Sequence, residues 1–297
     1  MKRLLLYFVI VSTGVLTVFS CKNKEKRNNT NDALSTINDS LNQNKNNSKL
    51  NQDWNLVWSD EFDGDAIDEN NWNLQVVEPG HFNDEWQRYT NSSENAYVEN
   101  GNLVIKAIHE SDVHGMGQYS SARLNTANKQ AFKYGKIAAR IKLPCSNGIW
   151  PSFWMLGANI NENGGDTPWP QSGEIDILEL YGSKNDSIVE ANLHYADKSN
   201  THAQMGAASF ELKAGKFADA FHVFELEWDA DSVTWMVDGE EYASMAIAAD
   251  ELSEFHKEFF ILLNIAVGGK WAGRPDAESV FPQYMFVDWL RVYKKNQ

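Results

Sequence analysis

From Trp54 onward the chain is cut into short alternating or continuously apolar runs, each stopped by turn residues, and that rhythm leaves little room for helices. Asn102–His109 alternates through Leu103, Ile105 and Ala107, and residues 134–143 alternate through Ile137, Ala139, Ile141 and Leu143. His222–Trp228 sets Phe224, Leu226 and Trp228 against Val223, Glu225 and Glu227. Asp238-Gly239 between residues 232–237 and 241–246 is a hairpin signal, and Asn100-Gly101 is another, because both turn residues tolerate positive φ. Phe259–Val267 is apolar almost throughout, as expected for a strand buried on both faces, and residues 285–293 form a last strand. A brief helix is expected at residues 249–257 alone. Many close strands and few helices predict an all-β sandwich or barrel, and 297 residues suit one such domain behind a leader.

The leader has two parts. Lys2 and Arg3 precede an apolar run over residues 4–19, the layout of a secretory signal peptide. The run falls short of the roughly 20 residues that span a bilayer. Val18-Phe19-Ser20-Cys21 resembles a bacterial lipobox, which implies a signal peptide over residues 1–20 and a lipid on Cys21. Residues 21–52, rich in Asn, Lys and Ser, bury too little to offset ordering entropy and are expected to tether the domain at 53–297. The expected location is therefore a membrane-anchored exported lipoprotein, on either face of an outer membrane, with plain secretion as the alternative. Cys145 is then the one thiol left in the mature chain, read as a small buried hydrophobe.

Composition closes other routes. Two cysteines cannot make a disulfide framework or a four-thiolate zinc site. Residues 1–52 hold 8 Lys and Arg against 3 Asp and Glu, leaving 18 basic and 38 acidic residues, or −20, in the rest. So acidic a domain is a poor host for nucleic acid or other polyanions. No Gly-x-Gly-x-x-Gly or Walker-type loop is present. No dimerisation signal stands out, so a monomer is expected.

Gly173-Glu174-Ile175-Asp176-Ile177-Leu178-Glu179 places three carboxylates among aliphatic residues. On a strand Glu174 and Asp176 share a face, while Glu179 has the wrong parity. One extra residue, a β-bulge near Ile177-Leu178, brings all three to one face and points Ile175 and one of the two aliphatics inward. Like charges that close raise at least one carboxyl pKa, so an acid and a base coexist. Glycoside hydrolysis uses two carboxyls flanking one bond, and a separation of about 5–5.5 Å goes with retention. A solvated acidic strand and a calcium site are the competing readings.

The same heptapeptide resembles the bulged Glu-x-Asp-x-x-Glu signature of glycoside hydrolase family 16. Trp58-Ser59-Asp60-Glu61-Phe62, residues 119–126 (YSSARLNT), 132–154 (FKYGKIAARIKLPCSNGIWPSFW), 262–276 (LLNIAVGGKWAGRPD) and 285–293 (MFVDWLRVY) are similar to blocks of its laminarinase-like branch, in order. The resemblance covers residues 54–293. It implies a jelly-roll β-sandwich of two curved antiparallel sheets with a concave substrate cleft. It implies Glu174 as nucleophile, Glu179 as acid/base and Asp176 between them, acting on β-1,3-glucan such as laminarin without a catalytic cofactor. Mixed-linkage β-1,3/1,4-glucan, transglycosylation, and a non-catalytic glycan-binding lipoprotein remain as alternatives.

Further residues follow from the resemblance. Trp169 and Trp271 sit in loop contexts that suit sugar stacking. Trp150 and Trp154 share a face of IWPSFW and suit either the core or the cleft. His194, Arg123 and Asn83 match sugar-contacting positions, with Glu85 weaker. Trp58, Trp228, Trp235 and Trp289 are expected in the core. The block from Asn83 to Thr90 departs from the branch at Trp86 and Arg88, which puts one end of the cleft in question. A structural calcium is implied, held by the Asp288 side chain and the carbonyls of Glu61 and Gly101, oxygen ligands of the type calcium prefers. A salt-bridged Asp288 is the alternative.

Overall fold

The computed structural model describes residues 53–182 and 186–296. The signal segment, Cys21 and the tether lie outside the described residues. Seventeen strands run through the described residues. They are β1 (Trp54–Asp60), β2 (Asn73–Leu74), β3 (Gln87–Tyr89), β4 (Ala96–Glu99), β5 (Asn102–His109), β6 (Tyr119–Ser121), β7 (Arg123–Asn125), β8 (Gly135–Lys142) and β9 (Ile149–Gly157). Then come β10 (Glu174–Glu179), β11 (Ile188–Ala196), β12 (His202–Glu211), β13 (His222–Trp228), β14 (Ser232–Val237), β15 (Glu240–Ala246), β16 (Phe259–Val267) and β17 (Gln283–Lys295). They form two sheets, antiparallel except where β3 meets β6. One runs β15-β14-β13-β8-β17-β5-β6-β3, with β1 also on β17 and β4 on β5. The other runs β12-β11-β10-β9-β16-β7-β2. This is the expected all-β jelly-roll sandwich. Among the described residues no helix is long and apolar enough to cross a membrane.

Turn chemistry sets the hairpins. Asp238 and Gly239 have φ of 52° and 78°, and Asn100 and Gly101 have 52° and 72°. Positive φ at both central residues is what a two-residue turn needs to match the right-handed twist of its strands. The brief helix expected at 249–257 is instead a pair of 3-10 turns at Asp250–His256, broken at Leu252. Seven residues closed at each end by extended backbone cannot sustain α-helical bonding.

The core lies between the sheets. Leu103, Ile105, Ile137, Ile141, Phe224, Leu226, Met285 and Val287 meet Phe153, Met155, Ile175, Leu193, Ile261, Leu263 and Ile265 in one cluster. The apolar run of β16 is buried at every position for two reasons. Phe259, Ile261, Leu263, Ile265 and Val267 face this core. On its other side Phe260 and Leu262 pack with Leu156 and Ile160, and Ala266 packs with Trp150 and Tyr181. Asn264 lies between these two patches. Trp228 and Trp235 are core residues, as expected. Trp58 is half-buried but packs against this core, on Trp72 and Phe132, whereas Trp289 is half-buried and outside it, which corrects the expectation for Trp289. Trp58 donates to Asn71, and the Arg291 guanidinium lies over the Trp289 ring at 4.2 Å, so each keeps an edge at the surface.

Candidate active site

Strand β10 is central to the seven-stranded sheet and carries the three acids. Against β9, Asp176 pairs with Trp154 but Leu178 pairs with Phe153, so Ile177 is the extra residue of a bulge. Against β11, Glu174, Asp176 and Glu179 face His194, Asn192 and Glu190. The bulge has two effects. It turns Glu179 to the side of Glu174 and Asp176, and it sends both Ile177 and Leu178 into the core rather than one of them. The Asp176 carbonyl, at the bulge, accepts from Trp235 Nε1 at 2.8 Å, an indole on the opposite sheet. A core tryptophan thus fixes the backbone between the outer acids.

Each carboxyl has its own donors. Glu174 Oε2 accepts from Trp169 Nε1 at 2.9 Å. Glu179 Oε1 accepts from Trp150 Nε1 at 2.9 Å, and its Oε2 from Tyr181 Oη at 2.8 Å and Asn192 Nδ2 at 3.3 Å. His194 Nε2 lies 3.1 Å from Asp176 Oδ2 and 3.9 Å from Glu174 Oε1. Asp176 is 2% exposed and Glu179 7%. Burial pushes the Glu174 carboxyl up to about 8, with Asp176 adding to the rise and His194 opposing it. Burial raises Asp176 to about 8. Glu179 also rises to about 8 by burial and by Asp176, against the Tyr181 and Trp150 donors. Near neutrality the cluster therefore retains protons, and each ionisation makes the next harder. One protonated and one ionised carboxyl is the state that acid–base work on a glycosidic bond requires.

These acids lie in a cleft of about 660 Å³ across the seven-stranded sheet. Asn83, Arg123, Trp150, Trp154, Trp169, His194 and Trp271 all line it, as does Glu85. Trp150 and Trp154 share its floor, the first on Glu179 and the second donating to Asn264 Oδ1 at 2.7 Å. Trp169 and Trp271 are 41% and 58% exposed, open enough to stack on a sugar. Arg123 is clamped between the Phe82 and Trp154 rings at 4.5 and 4.6 Å, with its Nε on Gln75 Oε1. Arg88 and Trp86, the departures from the family pattern, do not line the cleft. Arg88 pairs with Glu78 on the surface. Trp86 lies 2.8 Å from where a Cβ at Gly268 would sit, just before the single α-helical turn Gly269–Ala272 that carries Trp271 where a loop was expected. Gly268 has φ of 72°, so a glycine is needed there on both counts.

Tyr181, Asn192, Asn264, Gln204 and His202 also line the cleft and escape a reading of sequence alone. Asn264 carried a usable signal, being the one polar residue inside an otherwise apolar strand, whereas Asn192 shares its strand with Glu190 and His194. Tyr181, Gln204 and His202 carried none.

The residues implied for calcium sit elsewhere. Asp288 Oδ2 accepts from Arg140 Nη1 at 2.6 Å, and the Glu61 carboxylate accepts from Arg291 Nε and Nη2 at 2.9 and 2.7 Å. The pairing of β17 with β5 reaches Val287 opposite Leu103, and that with β1 reaches Leu290 opposite Asp60. Asn102 Oδ1 is buried without a hydrogen-bond partner. A free oxygen of that kind, next to Gly101 in the chain, is the type of ligand a hard cation seeks.

The family model described as glycosyl hydrolases family 16 matches residues 82–291. The glucan endo-1,3-beta-glucosidase A1 of Niallia circulans is 35% identical over 263 residues, covering 81% of this chain, and the chain spans 38% of that relative's length. The beta-glucanase of Rhodothermus marinus is 35% identical over 253 residues, covering 81% of this chain and 85% of the relative. The solved laminarinase catalytic domain of Thermotoga maritima MSB8 is 43% identical with a TM-score of 0.71, over 82% of this chain and 100% of that one.

Proposed function

This chain belongs to glycosyl hydrolases family 16, and on that footing we propose that it cuts β-1,3-glucosidic bonds within β-glucan chains, with retention. The observation that carries this reading is the row of Glu174, Asp176 and Glu179 on one face of β10, in a cleft walled by Trp169 and Trp271. The Glu174 carboxylate attacks the anomeric carbon while protonated Glu179 gives its proton to the leaving glycosidic oxygen. The reducing-side fragment departs, leaving a glycosyl ester on Glu174. Glu179, now a carboxylate, takes a proton from water as that water attacks the same carbon. The ester bond breaks and Glu174 is returned as a carboxylate. Asp176 raises both neighbours, and its partner His194 stands against the nucleophile.

The test uses laminarin and the full chain. New reducing ends, with mid-sized oligosaccharides early in the reaction, are expected from the parent and not from Glu174→Ala. Faster release from lichenan would shift the substrate to mixed-linkage glucan. Binding of laminarin with no release by the parent would refute hydrolysis and favour the glycan-binding alternative.

Three attributes complete the proposal. Lipid attachment at Cys21 and tethering through residues 21–52 rest on the sequence pattern of the leader. Cys21→Ser is expected to move the protein from the membrane to the soluble fraction. Calcium is assigned to Asp288 and the Glu61 and Gly101 carbonyls, with Asn102 Oδ1 as an added oxygen, and it would supply structural stability away from the cleft. The protein acts as a monomer.

A further inference from the structure

His202 is exposed at the start of β12, and neither the sequence pattern nor the catalytic steps use it. Its Nε2 lies 2.8 Å from His194 Nδ1, and the two rings stack at 5.1 Å with 25° between their planes. The Trp169 ring also packs on the His202 ring, with centroids 4.6 Å apart. The opposite nitrogen of His194 is the one beside Asp176 and Glu174. A continuous line therefore runs from the buried acids through two imidazoles to solvent.

We propose that His202 is a positioning residue that accepts the Nδ1 proton of His194, so that His194 can carry positive charge against Asp176 and Glu174. The inference rests on the hydrolase reading above. An imidazolium must donate from both nitrogens. His194 Nε2 lies within ion-pair range of the Asp176 carboxylate, and its Nδ1 has His202 Nε2, which accepts only while His202 is neutral. Partial desolvation of its ring in the cleft and the neighbouring His194 both push His202 below the usual histidine range, which favours its neutral form. Among the described residues the charged groups facing the pair are Glu174, Asp176 and Glu179 of β10; Trp169 and Gln204, from the loop and β12, carry none. Positive charge on His194 favours ionised Glu174. Losing the acceptor makes that charge harder to hold, so Glu174 ionises at higher pH.

Two variants separate the nitrogen from the ring. His202→Phe keeps the stack on His194 and Trp169 and removes the acceptor. His202→Gln removes the ring and keeps an acceptor oxygen. The acid limb of kcat/KM on laminarin is expected to move up by about half a unit in His202→Phe, or about threefold in rate on that limb. His202→Gln should stay near the parent. A His202→Phe profile that keeps the parent's shape, whatever its height, overturns the proposal. Long-range ¹H–¹⁵N spectra of the histidine rings, assigned with His194→Gln, need no substrate and so stand apart from the hydrolase reading. They are expected to show His194 becoming neutral at lower pH in His202→Phe. An unchanged His194 titration overturns the proposal even if the enzyme proves active on another glucan.

Discussion

Replacing Tyr181 by Phe removes one hydroxyl from the cleft and keeps the ring against Trp150. That hydroxyl donates to Glu179 Oε2 at 2.8 Å, and the oxygen is left with Asn192 at 3.3 Å. A donor stabilises the carboxylate over the acid, so its removal must raise the Glu179 pKa further. A hydrogen bond to a charged group is worth about 1.5–3 kcal/mol. At about 1.4 kcal/mol per pKa unit, with Asn192 taking up part of the loss, the rise is about one unit. Glu179 must be protonated for the first step, so it sets the basic limb of kcat/KM. That limb is expected to move up by about one unit in Tyr181→Phe, and the acid limb, set by Glu174, to stay. Initial rates of reducing-end release from laminarin across pH measure both limbs. A basic limb that stays in place or moves down would refute the assignment of Tyr181 as a donor to the acid/base.

Asp176→Asn should stabilise the fold while lowering kcat. The folded pKa of Asp176 is raised, so its contribution is full below the unfolded value near 4 and is lost as pH rises through about 8. The variant should therefore gain about 2–4 °C in Tm for each kcal/mol recovered, at pH 8 and not at pH 4, and an equal Tm at both would contradict the buried charge. Trp235→Phe leaves the Asp176 carbonyl without its donor, at about 1–3 kcal/mol, and loosens the bulge. Both Tm and kcat should fall, whereas a drop in Tm alone would mean that the bulge holds its shape without the indole. Millimolar calcium should raise Tm in the parent and not in Asp288→Ala. Equal melting in calcium and in chelator would show that Arg140 alone satisfies Asp288.

Much of this protein is local in origin. Alternation marks β5, β8 and β13 because a half-buried strand repeats every two residues. The turns at Asn100-Gly101 and Asp238-Gly239 are legible because positive φ is a property of the residues themselves. The parity of Glu174, Asp176 and Glu179 demands a bulge at Ile177-Leu178, and one is there. What escaped the sequence depends on residues far apart in the chain. Asn264 and Trp154 are 110 positions apart yet share a hydrogen bond in the cleft floor. Tyr181 and Asn192 reach Glu179 only because β10 and β11 pair in one register. His202 stands beside His194 because β12 follows β11 in the sheet, and periodicity cannot say which exposed polar residue will face a cleft. Trp235 looked like any core indole until the opposite sheet put the Asp176 carbonyl at its N–H. The chain alone determined strands, turns and the three acids, since backbone sterics and side-chain period act between near neighbours. Which donor meets which acid was decided by packing two sheets together, because a hydrogen bond acts within about 3 Å and only the tertiary fold sets distances that fine.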